Sequence, residues 1–162
     1  MKAMEMTESL PVIGWREWVG LPDLGVKRVK VKVDTGARSS SLHAVDIEEF
    51  HRNGQDFVRF VVYPRQNSDQ KQITCEAPVL EFREVRSSNG KVQRRAVIRT
   101  SLKLLGQVYP VDLTLADRSK MGFRMLVGRE ALRGRFLVDS AASFLCGRRG
   151  KSHSPGGDQE TT

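Results

Sequence analysis

Three valines at alternate positions, Val29, Val31 and Val33, with Arg28, Lys30 and Lys32 between them, run directly into Asp34-Thr35-Gly36-Ala37. A period of two puts the valines on one face and the cations on the other, as in a strand half-buried in a sheet. Ending such a strand in an acid, a small hydroxyl residue and a glycine delivers a carboxylate into a cleft on a tight turn. The strand fixes the acid and Gly36 lets the backbone bend back on itself. Thr35 can hold its neighbours through its hydroxyl, and Ala37 leaves room beside the acid.

Other short apolar stretches follow, with turn signals between them. Asn53-Gly54 separates Ile47–His51 from Phe57–Tyr63, and Asn89-Gly90 separates Val79–Val85 from Val92–Thr100. Both read as hairpins. Further strands are expected over Ser39–Val45, Leu102–Leu105, Val108–Leu115, Phe123–Val127 and Phe136–Val138, with a polar loop over Pro64–Gln72. Glu130–Leu132 opens a short helix. The segment from Ile13 to Val19 supplies two tryptophans, and Leu21-Pro22-Asp23-Leu24-Gly25 reads as a turn. Many short strands of this kind predict an all-β fold, a small closed barrel with one short C-terminal helix. Residues 1–10 are expected to be a flexible leader and 11–146 the folded domain. Residues 147–162, all Gly, Ser, Pro and polar or charged residues, are expected to be a disordered tail.

Composition narrows the setting. At 162 residues, 39% apolar and 28% charged, the chain is sized for one domain with a real core. No run approaches the roughly 20 apolar residues that span a bilayer, so no membrane partner is expected. The stretch up to Pro11 holds Glu5 and Glu8 and no apolar core of a signal, which with two cysteines, Cys75 and Cys146, points to reduced thiols and a cytoplasmic setting. A net charge of +8 favours anionic partners without naming one, and a solvated basic face accounts for it equally well. His43, His51 and His153 do not pair with the cysteines at ligand spacing, so no metal is expected. No glycine-rich phosphate loop is present, so no cofactor is expected either. Ser39, Ser40 and Ser41 read as small packing residues behind the turn, and Trp15 and Trp18 as core or subunit-seam residues.

Asp-Thr-Gly by itself also fits a plain Asx turn after a strand. Two more features go with it: the hairpin tipped by Ser87-Ser88-Asn89-Gly90, and Met125-Leu126-Val127-Gly128-Arg129-Glu130-Ala131-Leu132, an apolar strand that ends in Gly-Arg and leads into a helix. This order resembles the retropepsins, single-domain homodimeric aspartic proteases. Over residues 11–146 it is closer to the bacterial RimB-type retropepsin-like proteases, also known as "ATP-dependent zinc protease". Gly14-Trp15-Arg16-Glu17, Val33 through Ala44, and Arg118 through Met121 to Arg129 carry that closer likeness.

The resemblance implies a retropepsin-like closed barrel acting as a homodimer and an aspartic endopeptidase activity. Asp34 matches the catalytic aspartate, Thr35 the residue that braces two active-site turns across a dimer, and Gly36 and Ala37 complete the turn. Ser87, Ser88, Asn89 and Gly90 match a flap tip. Gly128 matches the glycine passed closely by the acid-bearing loop, and Arg129 an arginine making a buried charge contact near the dimer seam. Viral retropepsins carry an acid soon after Asp-Thr-Gly-Ala where this chain has Arg38-Ser39, which leaves Asp139 and Glu130 as alternative partners for Arg129. The segment 46–78 is long for a minimal retropepsin.

The chain carries a single Asp-Thr-Gly. Aspartic-protease chemistry needs two carboxylates sharing one proton, so the second must come from a second copy. The substrate implied is a peptide or protein, with a glutamylated ribosomal protein or its poly-glutamate tail the one the family suggests, and with a functional link to an ATP-grasp glutamate ligase. The alternative is a catalytically silent retropepsin-fold binding module, associated with the ribosome or an acidic protein.

Overall fold

The computed structural model describes residues 10–65, 71–86 and 89–146. The expected flexible leader, apart from its last residue, and the expected disordered tail lie outside the described residues, as do Ser87 and Ser88. Ten strands build the fold: β1 (Val12–Leu21), β2 (Val26–Asp34), β3 (Ser40–His43), β4 (Val45–Arg52), β5 (Gln55–Val62), β6 (Ile73–Arg86), β7 (Val92–Leu104), β8 (Gln107–Ala116), β9 (Met125–Gly128) and β10 (Leu137–Ser143).

Six of these close into a barrel in the order β1-β2-β9-β3-β8-β7, and β7 returns to β1 at Gly20↔Lys103. The approach at Gly20 is tight, since a Cβ there would stand 3.1 Å from the Lys27 carbonyl oxygen of β2. Alternation puts one face of each strand inside. Val29, Val31, Val33, Leu42, Ile98, Leu102, Leu104, Leu113, Leu115, Met125 and Val127 are all buried and form one core. Each such side chain contributes about 1.5–3 kcal/mol on leaving water, the main term set against the entropy lost in ordering the strands.

The decisive connection runs between β2 and β3. These two strands are joined by the acid-bearing turn but do not pair. Instead β9 lies between them, parallel to β2 (Val31↔Met125 through Asp34↔Gly128) and antiparallel to β3 (Ser41↔Leu126). The turn after Asp34 must therefore cross over the end of β9.

Within the segment 46–78, the described strands form a flank on the barrel. β4, β5 and the first half of β6 make a small antiparallel sheet, and β6 then passes to β7 from Val79 onward. Pro78 sits at that handover, the last β6 residue paired with β5. The flank's surface carries an ion-pair lattice, with Arg59 between Glu48 and Glu76 and Arg52 also on Glu76. These are exposed pairs, each worth little on its own.

Several local expectations change. Ser101 reads as a break between two strands, yet β7 runs through it to Leu104. Thr100 is buried and Ser101 donates to Asp23 at 2.9 Å, so the tertiary setting absorbs both hydroxyl residues into the strand. The tryptophan-bearing segment is itself a strand, β1. The short C-terminal helix is a single 3-10 turn, Arg129–Ala131, closed by Leu132 donating to the Arg129 carbonyl at 3.0 Å.

β10 pairs in parallel with β1 from Val12↔Leu137 onward, and the chain end is then fastened by a buried acid. Glu17 is 0% exposed, and its Oε2 accepts from the Gly14 and Leu145 amides at 2.6 and 3.0 Å. Its Oε1 accepts from the Cys146 amide at 2.9 Å. Trp15 and Trp18, both half-buried, are roofed by cations, with Arg16 4.8 Å from the first ring and Arg28 4.1 Å from the second.

Cys75 and Cys146 are buried, and no disulfide joins them. Burial pushes the Cys75 thiol up to about 11, and its Sγ donates to the Leu24 carbonyl. At pH 8 that thiol stays protonated, so Cys75 should resist a disulfide reagent in the native protein and react at once in denaturant. Labelling followed by peptide mass mapping reads this directly, and fast native labelling of Cys75 would contradict the burial.

Candidate active site

The turn after β2 is built by its own short-range bonds. The Gly36 amide donates to Asp34 Oδ1 at 2.9 Å, and the Ala37 amide donates to the Asp34 carbonyl at 3.1 Å. Asp34 is half-buried, and Thr35 and Gly36 are exposed. One carboxylate oxygen is thus fixed by its own loop, and Oδ2 takes no hydrogen bond among the described residues. An acid held at one oxygen and open at the other is placed to meet a water, a substrate or a second acid.

The end of β9 braces this turn from beneath. The Arg129 amide donates to the Ala37 carbonyl at 2.8 Å, and the Glu130 amide donates to Arg38 at 3.1 Å. The Gly128 amide donates to Ser40 Oγ at 3.0 Å. Any Cβ at position 128 would lie 2.4 Å from the Ser39 carbonyl oxygen and 2.8 Å from that of Ala37. Backbone stacked this closely leaves room for glycine alone. Gly128→Ala should push the acid-bearing turn outward and cost about 1–3 kcal/mol of stability as overpacking. Any activity should fall further than stability does, because the displaced atoms belong to the Asp34 loop. Denaturant unfolding and rate measurements on the same variant separate the two, and an unaltered turnover would show that the close approach is not needed.

The sequence-derived residues sort clearly. Asp34, Thr35, Gly36, Ala37, Gly128 and Arg129 come together on one face, through the crossing of β9 beneath the turn. Asn89 and Gly90 form the tip of the β6–β7 hairpin, where Gly90 takes φ +87° and accepts from Arg86 at 3.0 Å. Arg129 is exposed in the single chain, and its guanidinium donates to the Thr35 and Gly36 carbonyls at 3.4 and 3.2 Å. Neither carboxylate considered for it engages it as an ion pair. Glu130 pairs with Arg38 at 2.9 Å, and Asp139 accepts from the Ala141 amide. The Arg38 guanidinium holds the Glu130 carboxyl below the usual range, in a fully exposed pair.

Three contributors escaped the sequence reading. Ser40 is a hydrogen-bonding brace and not filler; a run of three serines after the turn signals that hydroxyls matter but does not say which one points inward. Arg38 supplies the pair across the turn, and Glu17 the chain-end staple. His43, at the end of β3, is buried and accepts at Nδ1 from the Arg118 amide at 2.8 Å, which places the ring proton on Nε2. Arg118 also donates to Ser41 Oγ and the Phe123 carbonyl, pinning the loop before β9. Among the described residues no three His, Cys, Asp or Glu side chains gather as a metal site, and no helix is long and apolar enough to cross a membrane.

Comparison with known proteins agrees with this layout. A crystal structure of a Legionella pneumophila protein of unknown function superposes with a TM-score of 0.72 at 28% identity, covering 85% of this chain and 99% of that one. Proteins named probable alpha-L-glutamate ligase are similar in sequence. The one from Shewanella halifaxensis (strain HAW-EB4) is 44% identical over 144 residues, 89% of this chain and 31% of the relative. The one from Parasynechococcus marenigrum (strain WH8102) is 46% identical over 142 residues, 88% of this chain and 30% of the relative. The chain therefore spans about a third of the length of these relatives. The model of one family, described as retropepsin-like aspartic endopeptidase RimB, matches residues 12–149. With its acid turn laid across β9, the chain belongs to the RimB-like family of retropepsin-like aspartic endopeptidases.

Proposed function

We propose that this chain is a peptidase that works only as a homodimer, each copy lending one Asp34 to a shared pair. The observation that carries the reading is the Asp34 turn itself: half-buried, locked at Oδ1 by Gly36, open at Oδ2 and stiffened by β9 from below. Two unit charges roughly 3 Å apart repel by about 5 kcal/mol at an effective dielectric of 20, so the pair keeps one proton over a broad pH range. The ionised member takes a proton from water as the water attacks the scissile carbonyl carbon. The protonated member hydrogen-bonds the carbonyl oxygen, and the departing amine leaves with a proton. A monomer has no second acid, so specific activity should rise with protein concentration. In this reading Thr35, exposed on the turn, braces its counterpart across the pair, and the β6–β7 tip at Asn89-Gly90 covers the cleft. Arg129 becomes buried only once two chains meet.

The substrate we infer is an acidic polypeptide, a ribosomal protein bearing added glutamates or its poly-glutamate tail, processed in the cytoplasm. The similar proteins named glutamate ligases support a functional link to a ligase of that kind, and the basic surface favours an acidic substrate. Incubation of the purified protein with glutamylated and unmodified ribosomal protein, read by intact mass, tests this. Shortening of the glutamylated form alone is expected. No product from either, across protein concentrations that span the dimerisation range, would sink the reading.

A further inference from the structure

Beside the Asp34 turn lies a groove of about 780 Å³ whose walls carry five arginines, Arg38, Arg83, Arg99, Arg133 and Arg135, against two acids, Asp112 and Glu130. Its volume falls within the range of about 300–1,000 Å³ typical of ligand sites. One wall is the chain from Arg38 to Ser40, continuous with the acid-bearing turn, together with 130–135. The other is the outer face of β8 and the base of the β6–β7 hairpin.

The arginines are not equivalent. Arg38 is paired with Glu130, and Arg99 holds Asp112 at 2.8 Å. Arg83 pairs with Glu81 on its own strand. Arg135 stacks 3.8 Å above the Tyr109 ring and otherwise donates only to the neutral Gln107, at 3.4 Å. Arg133, on the exposed loop before β10, has no ion-pair partner within 4 Å among the described residues. Two guanidinium groups of one loop, two positions apart, thus line the groove without an ion pair within 4 Å among the described residues, one of them held in orientation by an aromatic face.

We propose that this groove is a second binding site, outside the Asp34 cleft, that grips a carboxylate-rich stretch of the same polypeptide being cleaved. The proposal rests on the peptidase reading and assigns Arg133 and Arg135 as its specificity-determining residues. Guanidinium forks match carboxylates in a bidentate geometry, and a planar fork already fixed by stacking loses less freedom on binding. Nucleic acid fits less well. The one aromatic in the lining, Tyr109, is buried and covered by Arg135, leaving no open platform for a base. Because the wall begins at Arg38, an acidic segment held here leads away from the scissile bond and raises the residence of the peptide at Asp34.

Binding is measured apart from turnover by titrating Asp34→Asn protein into fluorescein-labelled hexaglutamate, hexaglutamine and a short single-stranded oligonucleotide, following anisotropy. Hexaglutamate is expected to bind at least about tenfold tighter than hexaglutamine, and Arg133→Ala with Arg135→Ala to remove at least about tenfold of that, roughly one charge-assisted contact. Arg133→Ala alone, at an exposed site, guards against a folding artefact and should show part of the loss. In wild-type background the same substitutions should raise KM for acidic peptides and leave kcat unchanged. Unchanged hexaglutamate affinity in the folded double variant would overturn the proposal. So would an oligonucleotide that binds tighter than hexaglutamate through the same two arginines. If the wild-type chain cleaves nothing while arginine-dependent hexaglutamate binding persists, the peptidase reading fails and the acid-binding groove stands.

Discussion

Asp34→Asn is expected to abolish peptide cleavage, by at least about 10³-fold, the upper part of what a positioned acid–base group supplies. The substitution keeps shape and the acceptor oxygen for the Gly36 amide, so the turn should survive. What it removes is the shared proton, since an amide can neither take a proton from water nor give one to a carbonyl. Dimerisation, read by sedimentation, should be unaffected. Mixing makes the test sharper. With free exchange of equal amounts of wild type and variant, wild-type pairs make up about one quarter of all dimers, so activity per total protein should drop to about one quarter of the pure wild-type value. Independent chains would retain about one half. A mixture that sits at one half, or a variant that still cleaves, rules out a dyad built from two copies.

Glu17→Gln should be the most damaging change away from the cleft. Three backbone amides, those of Gly14, Leu145 and Cys146, converge on a carboxylate that is 0% exposed. No cation lies among these partners; the charge is held by N–H groups alone, each bond stronger than a neutral one. Glutamine offers one acceptor and one donor. If its oxygen serves Gly14 and Leu145, its NH2 faces the Cys146 N–H, which loses its partner. We expect a loss of about 3 kcal/mol, or about 6–12 °C in Tm for a chain of this size. The weakness should be local as well as global. Amide exchange should speed first at residues 144–146 and along β10, because Glu17 ties that end to β1. Full stability in this variant, or exchange unchanged at those amides, would show that pairing of β10 with β1 holds the chain end unaided.

The two results depend on different information. Local chemistry was readable in the chain: alternating valines marked β2, Asp-Thr-Gly marked its turn, and Asn53-Gly54 marked a hairpin, because each is decided by the backbone preferences of adjacent residues. The pairing of strands was not readable. Nothing near Met125–Gly128 says that it inserts between β2 and β3, and that insertion is what brings Gly128 under Ala37 and Ser39. Nothing beside Glu17 in the sequence marks it as buried; residues 145 and 146, more than a hundred positions away, fold back to donate to it. The same holds for Ser101, which separates two expected strands in sequence and lies within the single strand β7 in space, and for Arg133 and Arg135, whose groove exists only once β8 packs beside that loop. Turns and amphipathic strands follow from neighbours along the chain. Buried charge, close backbone approach and grooves follow from contacts between distant segments, and only tertiary structure chooses those.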